Sequence, residues 1–143
     1  MPDSLATVTE ASAVRLATFR LARRLRAESA IDAMSDAQFS VLAGLRAHGP
    51  HTLRELAERE RVSAPSMNRT VNGLEAAGYV TRTTDDADRR KVNIALAPAG
   101  EAIVLETVRR RDAWLEEALA SLSDADRTIV SRAAVILQGL ATR

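Results

Sequence analysis

Ser63-Ala64-Pro65-Ser66-Met67-Asn68-Arg69-Thr70-Val71-Asn72-Gly73-Leu74-Glu75-Ala76-Ala77-Gly78 carries its own start and stop signals. Serine stands where a helix N-cap belongs, proline lies in the first turn and glycine follows the last, so the stretch predicts one helix with both ends specified. Met67, Val71 and Leu74 recur at i, i+4 and i+7 and make one apolar stripe, while Ser66, Arg69, Thr70 and Asn72 point elsewhere. That outward face is polar but nearly uncharged. Hydroxyl and amide groups around a single guanidinium suit the floor of the DNA major groove, where they can meet base edges. A helix that merely faces solvent usually carries more Glu and Lys.

After Gly78 the period changes to two. Tyr79-Val80-Thr81-Arg82-Thr83 and Val92-Asn93-Ile94-Ala95-Leu96 are alternating, β-branched runs and predict the arms of a hairpin. Thr84-Asp85-Asp86-Ala87-Asp88-Arg89-Arg90-Lys91 between them is too polar to bury and too long for a two-residue turn, so it projects into solvent with three cations on its far side. Helix, hairpin and basic tip are the layout of a winged helix-turn-helix, whose helix enters the major groove and whose wing reaches the backbone or minor groove. The expected DNA-facing set is Ser63, Ser66, Asn68, Arg69, Thr70 and Asn72 on the helix, with Asp88, Arg89, Arg90 and Lys91 on the wing.

Composition bounds the alternatives. A chain of 143 residues with 46% apolar content fits a single domain with a real core. The net charge of +1 makes it no general polycation, so contact with nucleic acid must come from local segregation of charge. Cysteine is absent, which removes disulfides, thiolate metal sites and thiol redox sensing. His48 and His51 flank Gly49-Pro50 without further ligands nearby, so they predict a solvated turn and no metal. No apolar run approaches the roughly 20 residues that span a bilayer, and no signal-peptide apolar core opens the chain, so a cytoplasmic protein without membrane contact is expected.

From the N-terminus, a short polar lead precedes a long helix over about residues 9–30, with Val14, Ala17, Leu21 and Leu25 in one stripe and Leu16 and Phe19 beside it. Its charged face holds Arg15, Arg20, Arg23, Arg24 and Arg26, either solvated or near phosphates. Ser35-Asp36-Ala37-Gln38 is a capping box that starts a second helix, stopped at His48-Gly49-Pro50; Thr52-Leu53-Arg54-Glu55 repeats the device for a short third helix. The third helix and the one after Ser63 form the helix-turn-helix. Beyond the wing, Pro98-Ala99-Gly100 opens a helix of roughly 35 Å at 1.5 Å per residue, longer than a small reader domain needs for its own core. Ser123-Asp124-Ala125-Asp126 caps a last helix carrying Ile129, Val130, Ile136, Leu137 and Leu140. Long apolar helices at both ends imply a helical dimer interface around a compact reader. The expected fold is therefore mainly α with a small β-hairpin wing: a winged helix-turn-helix over 35–97, and dimerisation helices over 9–30 and 99–142 of a single 1–143 unit.

This order of elements resembles the MarR family of bacterial transcription regulators over essentially the whole chain. Three motifs carry the likeness: Pro65-Ser66-Met67-Asn68-Arg69-Thr70-Val71 with Leu74-Glu75 and Gly78, Asp88-Arg89-Arg90, and Leu96-Ala97-Pro98-Ala99-Gly100. The resemblance implies a homodimer on a pseudo-palindromic operator in double-stranded DNA. It further implies a repressor that releases DNA when a small anionic or phenolic ligand binds between the dimer and reader regions. It also implies that Arg69 contacts base edges or nearby phosphate in the major groove, and that Arg90 enters the minor groove with Asp88 as its orienting partner. Two positions depart from the pattern. Ala97 stands where the family commonly has Thr and forgoes a cap of about 1 kcal/mol. Gly73 interrupts the recognition helix at a similar cost and leaves no side chain where a base or phosphate contact would be expected.

An enzyme is not expected, because no cysteine, no paired histidine and nucleophile, and no phosphate-cradling glycine loop is present; no cofactor is called for. The alternative is a winged-helix protein-interaction module without operator binding, which the low net charge favours. For an effector pocket the aromatic candidates are Phe19, Phe39 and Trp114, which could stack on a flat ligand but serve equally as core.

Overall fold

A computed structural model describes residues 9–143; the expected polar lead over 1–8 lies outside the described residues. The elements follow as α1 (Glu10–Arg26), α2 (Asp36–His48), β1 (His51–Thr52), α3 (Leu53–Glu60), α4 (Ala64–Ala76), β2 (Val80–Thr84), β3 (Val92–Leu96), α5 (Pro98–Ala120) and α6 (Asp124–Ala141). Side chains begin most of the helices as the sequence dictates. Both capping boxes close reciprocally, Ser35 with Gln38 and Thr52 with Glu55, and Ser63 and Ser123 accept hydrogen bonds from Ser66 N and Asp126 N. Helix α5 has no side-chain cap at Ala97, as expected. The alanine is instead buried, and its N–H donates to Tyr79 O at 2.9 Å.

Two elements differ from expectation. Helix α1 ends at Arg26 and not near Ala30, because α5 takes over the backbone of the departing chain. Arg111 Nε donates to Leu25 O at 3.1 Å, Arg110 Nη1 to Ser29 O at 3.1 Å, and the buried Thr107 Oγ1 accepts from Ala30 N at 3.2 Å. The hairpin also gains a third strand. Residues His51–Thr52 pair antiparallel with Asn93 and Ile94, giving the order β1-β3-β2, with Arg82 opposite Ile94 and Val80 opposite Leu96.

One core lies beneath the reader. Val41, Leu42 and Leu45 of α2, Leu56 and Ala57 of α3, Met67, Val71 and Leu74 of α4, Val80, Ile94 and Val104 form a contiguous buried cluster, with Phe39, Leu53 and Tyr79 packed against it. Burial of this kind is worth roughly 1.5 to 3 kcal/mol for each large side chain and fixes α4 on its apolar stripe. The terminal helices are different. Neither α1 nor α6 buries a single residue within the chain, and α6 leaves Val135, Ile136 and Ile129 more than half exposed.

Candidate nucleic-acid interface

Helix geometry divides α4 into a buried stripe and three outward sectors. Arg69 is exposed opposite the stripe formed by Met67, Val71 and Leu74. Asn68 and Asn72 occupy the flank toward β2, while Ser66 and Thr70 occupy the flank toward α2 and α3, beside Ala37 and Glu60. Ser63 is spent on the cap, its hydroxyl accepting from Ser66 N at 3.2 Å, and Thr70 Oγ1 donates back to Ser66 O at 3.3 Å. Gly73 does not leave a gap toward DNA. A Cβ there would meet Gln38 Nε2 at 3.1 Å, so the position faces α2.

Wing and helix are tied by a residue absent from the expected set. Arg82 Nη2 donates to Asn72 Oδ1 at 2.6 Å and to Asn68 Oδ1 at 3.4 Å, and its Nε lies 3.4 Å from Glu75 Oε2. A sequence signal for it exists. Arg82 sits two residues after the buried Val80 on the same strand face, so a charged side chain is turned toward the helix and needs polar partners there.

The wing tip is built by two aspartates. Asp85 Oδ1 accepts from the N–H groups of Ala87 and Asp88 at 2.8 and 3.0 Å, and Oδ2 accepts from Asn93 Nδ2 at 3.0 Å. Those bonds, Asn93 first, hold the Asp85 carboxyl below its ordinary pKa. Asp88 Oδ1 accepts from Arg90 N at 3.0 Å and lies 3.4 Å from Arg90 Nε. The Arg90 side chain is 94% exposed, and Arg89 and Lys91 are exposed beside it.

The aromatic candidates lie in separate surroundings. Phe39 packs on the core beneath the Arg111 guanidinium, 4.4 Å from its ring centre, and Trp114 is covered by Arg24 at the same distance. Phe19 is 56% exposed on α1. A cavity of about 180 Å³ that the sequence did not reveal lies between α2 and α4, lined by Ile31, Met34, Gln38, Gly73, Leu74 and Tyr79. The terminal arginines are partly paired, Arg24 with Glu28 and Arg26 with Asp36. Among the described residues no group of three or more His, Cys, Asp or Glu is placed to hold a metal ion, and no helix is long and apolar enough to cross a membrane.

A capped helix with its polar side outward, a preceding capped helix and a wing with an exposed basic tip define a winged helix-turn-helix DNA-binding protein. The sequence model of the MarR family matches residues 34–92. An uncharacterized HTH-type transcriptional regulator of Mycobacterium bovis, Mb0904, is 37% identical over 130 residues, covering 91% of each chain. The HTH-type transcriptional repressor MdtR of Bacillus subtilis is 30% identical over 91 residues, 64% of this chain and 59% of that one. A MarR family protein from Bacillus stearothermophilus shares the fold with a TM-score of 0.83 at 24% identity, covering 100% of both chains. The chain belongs to the MarR family of winged helix-turn-helix transcriptional regulators.

Proposed function

We propose that the protein binds a pseudo-palindromic operator as a homodimer and represses transcription from it. The arrangement of α4 carries this reading: its apolar stripe is wholly buried, and its remaining face presents Arg69 between polar flanks, next to a wing whose Arg89, Arg90 and Lys91 are exposed. Two copies related by a two-fold axis would set their α4 helices in major grooves about one turn, roughly 34 Å, apart. The apolar residues that α1 and α6 leave uncovered supply the dimer contact. In this arrangement Arg69 reads a base edge and Arg90, steered by Asp88, enters the minor groove. The kinship with MdtR supports repression as the sign of regulation.

Release by a small aromatic or anionic ligand belongs to the same reading. A shallow groove beside α5 sets Trp114 next to Arg109 and Arg110, both paired with Glu106, with the Glu28 and Glu117 carboxylates on the same lining. Trp114 is the chain's single tryptophan, so its fluorescence reports directly on a ligand there.

Selection of genomic fragments by the purified protein tests the operator reading. Recovery of a short inverted repeat, bound with an affinity that falls steeply with salt, is expected. Fragments without a common sequence, or binding indifferent to salt, would favour a protein-interaction module.

A further inference from the structure

We propose that Arg82 decides what the recognition helix can read, by holding the carboxamide oxygens of Asn68 and Asn72 toward the wing and leaving their Nδ2 limbs to face the groove. The inference rests on the operator reading above and names a specificity determinant within it. A guanidinium has five N–H donors and no acceptor, so the carboxamide atom that meets it must be oxygen. The bond from Arg82 Nη2 to Asn72 Oδ1, 2.6 Å long and charge-assisted, turns that limb toward the wing. The Nδ2 limb is the one left for a base.

That geometry excludes one mode of reading and selects another. Asparagine recognises adenine with both limbs at once, accepting from N6 and donating to N7, which requires the oxygen to face the base. With the oxygen turned to Arg82, Asn72 donates without accepting and matches an acceptor on the major-groove edge, namely purine N7, guanine O6 or thymine O4. The weaker contact to Asn68 Oδ1, at 3.4 Å, biases the second carboxamide the same way.

Arg82 is itself withheld from DNA. Glu75 Oε2 lies 3.4 Å from its Nε, and its side chain is only 29% exposed, so the guanidinium is engaged by three side chains of α4 and acts as a positioning residue, not a phosphate ligand. Its removal should change preference while leaving the salt dependence of binding as it was, because no counterion-releasing contact is lost.

The test uses the full-length protein and a library of the selected operator randomised across one half-site, with Arg82→Met and Asn72→Asp beside wild type. Arg82→Met frees the Asn72 oxygen and should move preference at one position per half-site toward adenine by about five- to tenfold, with an unchanged salt slope. Asn72→Asp keeps an acceptor on Arg82 and replaces the donor by a second carboxylate oxygen, so preference there should move toward cytosine, whose N4 donates. If Arg82→Met fails to fold, as a thermal melt would show, Asn72→Asp still tests the donor assignment on which the inference stands, and a preference that does not move there overturns it. A wild-type protein without sequence preference overturns the operator reading and this inference with it. A wild-type preference that persists base for base in the folded variants overturns this inference only.

Discussion

Replacing Gly100 by alanine probes the joint between the reader and the long helix. Gly100 is buried in the first turn of α5, and a Cβ built there would fall inside the van der Waals envelope of the Tyr79 carbonyl oxygen, with Leu96 Cδ1 at 2.9 Å and Tyr79 C at 3.1 Å. That carbonyl is not free to turn away, since it accepts the Ala97 N–H at 2.9 Å. Alanine gains up to about 1 kcal/mol over glycine in a helix. Overpacking typically costs about 1 to 3 kcal/mol, and contact with anchored backbone places this site at the upper end, for a net loss of about 2 kcal/mol. With an unfolding entropy of about 2.1 cal/mol/K per residue, a chain of 143 residues should lose roughly 7 °C in melting temperature. Gly73→Ala is the matched control. Its new methyl meets only Gln38 Nε2, at 3.1 Å, and the rest of that side chain closes the α2 capping box on Ser35 N at 3.0 Å, so a small shift of Gln38 offsets the helix-propensity gain and the melting temperature should stay close to wild type. Calorimetry of both variants checks the pair, and a Gly100→Ala protein that melts with wild type would refute the account of this joint.

Arg90→Ala removes one minor-groove cation from each protomer, so it should flatten the slope of log affinity against log salt by up to about 1.8 for the dimer, at about 0.9 for each phosphate charge neutralised. Asp88→Ala should weaken affinity less than Arg90→Ala does, because the Arg90 charge remains and what is lost is its pair of bonds to Asp88 Oδ1, from Arg90 N at 3.0 Å and Nε at 3.4 Å; an unchanged slope for Arg90→Ala would remove the wing from the interface. Ile136→Asp places a charge in the exposed apolar face of α6 and should yield monomers by light scattering together with loss of operator binding, whereas dimers of undiminished mass would move the interface elsewhere. Hydrogen bonds from Arg109 and Arg110 hold the Glu106 carboxyl at about 2, below its ordinary 4.5. A depressed folded pKa stabilises fully above the unfolded value and ceases to do so as pH falls through the folded one. The small stability advantage of wild type over Glu106→Gln in urea melts should therefore be complete above pH 4.5 and close as pH approaches 2, and an advantage that persists there would contradict the pairing.

What the sequence disclosed depended on how local the cause was. The boundaries of α2, α3 and α4 follow from caps three residues apart, and the Met67, Val71 and Leu74 stripe from helix period alone, so both were legible. The end of α1 was not, because it is decided by Thr107, Arg110 and Arg111 from the far side of the sequence. Strand β1 spans two residues, too few for a period to show. Asp88 beside Arg90 was visible as a spacing, and the structure gives it a bond. Arg82 escaped notice because its partners lie 7 to 14 residues back, on another element. The departures at Ala97 and Gly73 became intelligible only with their neighbours in place, Tyr79 O for one and Gln38 for the other.

In the operator reading, two copies of this chain read two half-sites through paired α4 helices. Fluorescence anisotropy with the selected operator, a single half-site and a scrambled duplex, each at two salt concentrations, tests it most directly. The account predicts two chains per operator, an affinity for the intact repeat at least about 10³-fold above the scrambled duplex, and a steep fall with salt on both. One chain bound per duplex, or equal affinity for repeat and scrambled sequence, would contradict it.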